Sequence, residues 1–186
     1  MKLNKIVFPI MIIVLLLARV LSASELTIDD VKKKVWRDPY KVAGWLKKNI
    51  SYVRDKVSYA QTAQETFEKR GGDCEDFAIL AQYLLGNTYE TYLVIWEGRY
   101  KGAGRYGGRS TKASHCICVI KYHDALWVRI DQDELIGVKS TLFYTIKDSG
   151  DLSGVDIERA YFVTQGINGK LNRTTEIDLK DCWKVY

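Results

Sequence analysis

Residues 70–77 read Arg70-Gly71-Gly72-Asp73-Cys74-Glu75-Asp76-Phe77, and the run Phe77-Ala78-Ile79-Leu80-Ala81-Gln82-Tyr83-Leu84-Leu85 follows at once. Two glycines and an N-cap aspartate ahead of an amphipathic run predict that Cys74 opens a buried helix. The unpaired N–H groups and the dipole at such a terminus favour a thiolate, which is the nucleophilic form of cysteine.

Upstream of this stretch the chain reads as helices. Thr27-Ile28-Asp29-Asp30 resembles a capping box, with Ile28, Val31 and Val35 at helical spacing. Asp38-Pro39 is an N-cap followed by proline at the first helical position, and Val42, Trp45, Leu46 and Ile50 line one face. Residues 52–59 read as extended. Thr62-Ala63-Gln64-Glu65 caps a short helix that ends near Arg70-Gly71-Gly72.

Downstream the texture changes to strands, over 92–96, 116–120, 126–130, 142–146 and 159–164. Helices first and strands after predict an α+β fold with an antiparallel sheet. A turn at 122–125 would set His115 opposite Gln132, with Asp131 one place away and close enough to reach the imidazole. Asp133 is the weaker substitute. Of the two histidines, His123 falls in that turn, which leaves His115 as the base. Cys74, His115 and Asp131 are then a nucleophile, a base and a group that orients the base. The oxyanion would be met by the Cys74 N–H, with Gln61 or Gln64 as the weaker side-chain candidates.

Asp73, Glu75 and Asp76 surround the nucleophile. Unneutralised, they would raise its pKa. Two resolutions stay open. Asp73 caps the helix while Asp76 points to solvent or pairs with a base, or the three carboxylates hold a calcium ion, which prefers hard oxygen ligands. Zinc on Cys116, Cys118, Cys182 and His115 is disfavoured, because Cys-x-Cys is too short for a structural zinc site and His115 would face away. No cofactor is required by this chemistry.

These residues carry a resemblance. Gly72-Asp73-Cys74-Glu75-Asp76-Phe77-Ala78, His115 and Trp127-Val128-Arg129-Ile130-Asp131 are similar to the transglutaminase-like superfamily. With Gln61-Thr62-Ala63-Gln64-Glu65-Thr66 ahead of them, they most resemble the bacterial transglutaminase-like cysteine proteinases, which include periplasmic proteases that clip surface adhesins. The resemblance covers roughly residues 58–135. It implies a papain-like core with Cys74, His115 and Asp131 as the triad. It also raises the calcium option, since some of the similar adhesin proteases depend on calcium. Ala63 stands where that group commonly has proline, a departure that bears on substrate more than on chemistry.

The chain has 186 residues, and its first 23 read as a signal peptide: a basic start, an apolar run over 6–17, then small residues at Ser22-Ala23. The apolar run is shorter than the roughly 20 residues that span a bilayer. Arg19 near the cleavage region keeps an uncleaved membrane anchor as the alternative. Residues 24–186 then form one domain, secreted or periplasmic. The leader holds three basic residues and no acids, so 25 basic residues remain against 23 acidic, a net charge of +2. That balance does not indicate a nucleic-acid partner. Export favours a disulfide, of Cys182 with Cys116 or Cys118, with the alternative that both strand cysteines are simply core. The glycine-rich basic segment 97–112 reads as a loop on one lip of the substrate cleft.

The expected function is therefore a cysteine-dependent acyl-transfer enzyme. Hydrolysis of a protein or peptide amide is favoured over transglutaminase-type crosslinking, and a non-catalytic binding module is the rival. Expected partners are a peptide, a surface adhesin or a cell-wall peptide, with a membrane only if the N-terminal segment persists.

Overall fold

The computed structural model describes residues 26–35, 38–54, 59–101, 112–122, 126–166 and 169–179. Helices α1 (Ile28–Lys34) and α2 (Pro39–Asn49) come first, then a two-residue strand β1 (Ser51–Tyr52). Helix α3 (Ala63–Lys69), strand β2 (Gly71–Gly72) and helix α4 (Cys74–Leu85) follow. Strands β3 (Glu90–Tyr100), β4 (Lys112–Tyr122), β5 (Leu126–Asp131) and β6 (Glu134–Lys139) lead to helix α5 (Leu142–Leu152). Strands β7 (Val155–Gln165) and β8 (Leu171–Glu176) end the fold. The main sheet runs β6-β5-β4-β3-β7-β8, antiparallel throughout, and β1 pairs with β2 in parallel. This is the expected α+β arrangement, with the cysteine at a helix N-terminus packed on an antiparallel sheet.

The helix starts are capped as their sequences require. Thr27 and Thr62 each form a capping box, with Asp30 and Glu65. Asp38 accepts from the N–H groups of Tyr40 and Lys41, with Pro39 behind it. Helix α3 stops at Arg70, whose φ of 56° is left-handed, a conformation glycine usually supplies at this place. Its guanidinium lies 4.3 Å from the Phe67 ring centroid, a cation–π contact that accompanies the turn.

Side chains alternate across the sheet, and each face builds its own core. Leu93, Cys116, Cys118, Ile120, Val128 and Ile130 pack beneath helices α1 to α4. Val94, Trp96, Ile117, Val119 and Ala160 pack on the other face, with Ile146 of α5.

Three expectations change here. Residues 142–146 are the start of α5, not a strand. Leu-Phe-Tyr-Thr-Ile suits a strand by propensity, but Thr141 caps the segment by accepting from the Tyr144 N–H. Phe143, Ile146, Ser149 and Gly150 then bury at helical spacing. Of the extended stretch 52–59 only its start joins a strand, and 55–58 lie outside the described residues. The glycine-rich loop begins late, because β3 continues to Tyr100; residues 102–111, the turn 123–125, Cys182 and the first 25 residues lie outside the described residues.

Candidate active site

The Gly-Gly-Asp-Cys-Glu-Asp stretch is organised by Asp76, which is fully buried. One of its oxygens accepts from the Gln61 N–H at 2.7 Å. The other accepts from Gln61 Nε2 at 2.7 Å and from the Asp73 N–H at 3.0 Å. Asp76 thus reaches back over the first turn of α4 and ties it to the segment entering α3. The expectation that Asp76 faces solvent or a base is corrected: three N–H donors satisfy it inside the fold. Burial still raises its pKa, against the pull of those hydrogen bonds.

Gly72 is required by this carboxylate. A Cβ on Gly72 would stand 2.5 Å from Asp76 Oδ2, whereas one on Gly71 would meet Val53 Cγ2 at 3.2 Å. Gly72→Ala is expected to displace Asp76 and cost about 1–3 kcal/mol, with Gly71→Ala milder. The midpoints of urea unfolding of the two variants check this; equal midpoints would count against it.

Gln61 and Gln64 do not serve as oxyanion donors. The Gln61 amide is committed to Asp76, and Gln64, on the exposed side of α3, donates to Glu68. The Cys74 N–H at the helix start remains the backbone candidate.

Cys74, His115 and Asp131 line one cleft of about 1220 Å³, together with Asp73, Glu75 and Asp133. His115 Nε2 and Asp131 Oδ1 lie 2.5 Å apart. This contact depends on a register one residue away from the expected one. Cys118 pairs with Ile130, which sets Asp131 on the face that carries His115 and Ile117. With His115 opposite Gln132, Asp131 would have projected from the other face. Asp133 falls in the turn between β5 and β6 instead.

Asp131 has further partners that the sequence reading missed. Ser149 Oγ donates to Oδ2 at 2.8 Å, and Arg129 Nε donates to the same oxygen at 3.2 Å. Arg129 is fully buried, and its Nη1 also donates to the Thr145 carbonyl at 3.0 Å and to Asp148 Oδ2 at 2.8 Å. Lys139 holds the other oxygen of Asp148 at 3.2 Å. Trp96, directly opposite His115 in the β3–β4 ladder, meets the imidazole edge-on with centroids 5.4 Å apart. Its indole N–H donates to Ser149 Oγ at 3.0 Å. Burial works to raise the Asp131 pKa, but the hydrogen bonds from His115 and Ser149 and the charge of Arg129 hold it below the usual carboxylate range. Arg129 was legible in principle, two residues before Asp131 and so on its face of the strand. Ser149 gives no signal in the sequence, where only the start of its helix, 142–146, is marked out, and there as a strand.

The thiol is held differently from the expectation of a thiolate. Cys74 Sγ donates to Glu75 Oε2 at 3.1 Å. Burial and the Glu75 carboxylate push the thiol well above its ordinary range, while the backbone N–H of Cys116, donating to the sulfur, pulls the other way. Glu75→Gln is expected to lower that pKa and speed alkylation of Cys74 by iodoacetamide about tenfold at pH 8. An unchanged rate would mean that Glu75 does not hold the proton.

Asp73, Cys74 and Glu75 are the described residues whose ligand atoms come close enough for a metal ion, all within 4.8 Å of one another. Calcium takes about six to eight oxygen ligands. Here a sulfur replaces one oxygen, and Asp76 is committed elsewhere, so the donor set does not fit calcium. Cys116 and Cys118 are buried free thiols on the sheet face toward α4, Cys118 pushed up to about 12 by burial.

A thiol at a helix N-terminus in one cleft with a His–Asp pair defines a class, the cysteine-dependent enzymes. The family follows from the sequence: a family model described as Transglutaminase-like domain matches residues 21–157, and the chain belongs to that family. No curated protein matches the chain significantly. Among solved structures it is similar to a protein from Cytophaga hutchinsonii whose assignment as a cysteine protease is itself provisional. The identity is 16%, the match covers 74% of this chain, and the TM-score is 0.36. The match covers 49% of that protein, so this chain corresponds to about half its length.

Proposed function

We propose that the protein is an exported cysteine peptidase that hydrolyses a protein or peptide amide through a thioester on Cys74. The observation that carries this reading is the His115–Asp131 pair in the cleft that Cys74 lines. Asp131, ionised and therefore acceptor only, keeps the imidazole proton on Nε2 and leaves Nδ1 to take the thiol proton. The sulfur then attacks the amide carbon, and the oxyanion forms beside the helix N-terminus. The imidazolium returns its proton to the leaving amine. Water, deprotonated at Nδ1, hydrolyses the thioester and frees the thiol.

Water outnumbers amines in an open cleft, which favours hydrolysis over crosslinking. Candidate substrates are surface adhesins and cell-wall peptides. The signal peptide, with an uncleaved anchor as alternative, would place the enzyme in the periplasm or outside the cell. Among the described residues no helix is long and apolar enough to cross a membrane. No cofactor enters the cycle.

The contact between the thiol and Glu75 favours a second reading, a binding module with an inert cysteine. The pH dependence of Cys74 alkylation separates the two. A pKa-controlled component that disappears in His115→Ala supports the peptidase. Slow reaction, alike in both proteins, supports the module.

A further inference from the structure

We propose that Ser149 is a positioning residue, whose hydroxyl, oriented by the Trp96 indole, sets the Asp131 carboxylate and through it the tautomer of His115. This rests on the reading of Cys74 and His115 as nucleophile and base.

The argument is one of hydrogen-bond direction. An indole nitrogen only donates, so Trp96 Nε1 must give its proton to Ser149 Oγ. The single hydroxyl proton of Ser149 then goes to its other neighbour, Asp131 Oδ2, at 2.8 Å. A carboxylate only accepts, so the His115 nitrogen facing Oδ1 must carry a proton. The direction of every bond is settled, from Trp96 through Ser149 to Asp131 and from His115 back to Asp131. The proton on Nε2 follows, and in the neutral imidazole Nδ1 is the ring nitrogen left as acceptor.

Trp96 acts at both ends of this chain. Its ring packs edge-on against the imidazole while its N–H orients the hydroxyl two bonds away. Trp96 and Ser149 are both buried, so bulk water does not compete for these bonds. Arg129 shares Oδ2 but has a different part. Its guanidinium also binds Asp148 and the Thr145 carbonyl, and it supplies charge, whereas Ser149 supplies direction. The serine comes from α5, on the sheet face opposite α4, so a helix remote from the nucleophile in sequence contributes to the site.

The test uses the full chain and iodoacetamide, with the Cys74 alkylation rate followed against pH in wild type, His115→Ala, Ser149→Ala and Ser149→Thr. The ring N–H resonance of His115 is recorded alongside by NMR. Ser149→Ala is expected to lower the His115-dependent rate near neutral pH about tenfold and move that resonance upfield. Ser149→Thr, which keeps the hydroxyl, is expected to restore both. A Ser149→Ala protein with the wild-type profile and resonance overturns the proposal. So does a Ser149→Thr protein as impaired as Ser149→Ala, since packing rather than the hydroxyl would then matter. If Ser149→Ala does not fold, Trp96→Phe removes the orienting donor instead, and a wild-type profile there overturns the proposal equally. Alkylation that ignores His115→Ala brings down the Cys–His reading and this inference with it. A His115-dependent rate untouched by Ser149→Ala removes the positioning role alone.

Discussion

Amide hydrolysis is expected to fall by about 10³-fold or more when His115 is replaced by alanine, and to the same floor in Cys74→Ala. Burial and Glu75 both oppose ionisation of the resting thiol. Without an imidazole nothing in the cycle takes the thiol proton as the sulfur attacks, and nothing returns it to the departing amine. The two steps share one group, so its loss is felt in both. Asp131→Asn tests the pair more finely. An amide can donate to Nε2 and reverse the tautomer, which aims a proton at the thiol; a comparable loss is expected. New peptide termini, counted by mass spectrometry after incubation with a mixed peptide library, provide the measurement. A His115→Ala protein within tenfold of wild type would mean that another group takes the proton.

The largest expected effect on stability is at Arg129. Its guanidinium is fully buried between the sheet and α5, and it faces the carboxylates of Asp131 and Asp148. Arg129→Met keeps the length of the side chain and removes the charge. Asp131 is then left buried without its cation, at a cost of about 3–5 kcal/mol, or on the order of 10 °C in Tm for a domain of this size. Acid supplies the internal control. Because the folded-state pKa of Asp131 is depressed, its contribution is present above its unfolded value near 4 and is lost as pH falls through the folded value. The gap between wild type and Arg129→Met should therefore narrow as pH drops below about 4. Thermal melts at pH 7 and pH 3 measure it. A gap of equal size at both would assign the loss to packing instead of charge.

The helix starts, with Cys74 at one of them, were legible in the sequence because these features are local. Caps at Thr27, Asp38 and Thr62, and the glycines before Cys74, act within a few residues of themselves. The His–Asp contact was harder, since it rests on strand register, where a shift of one residue moves Asp131 to the other side of the sheet. The identity of α5 was harder again. Leu142 to Ile146 has strand propensity, and only burial against the sheet and the Thr141 cap decide for helix. Misreading that segment hid Ser149 and Asp148, and with them the buried arginine's partners. For Asp76 the sequence suggests solvent, a basic partner or calcium, whereas its three donors lie on residues 61 and 73, and the two on Gln61 are too distant in sequence to show by pattern.

The two faces of the sheet hold different halves of the candidate site. Cys74 sits with the core under α1 to α4, while the His115, Trp96 and Asp131 side chains belong to the face covered by α5. Cys74 and His115 are thus held by different cores, and the Cys116 N–H, next to His115 on β4, donates to the Cys74 sulfur. A slight slide of the helical layer against the sheet would part them while both cores stayed intact. Inactivation should then precede unfolding on heating, and amide exchange in α4 should quicken before exchange in β4.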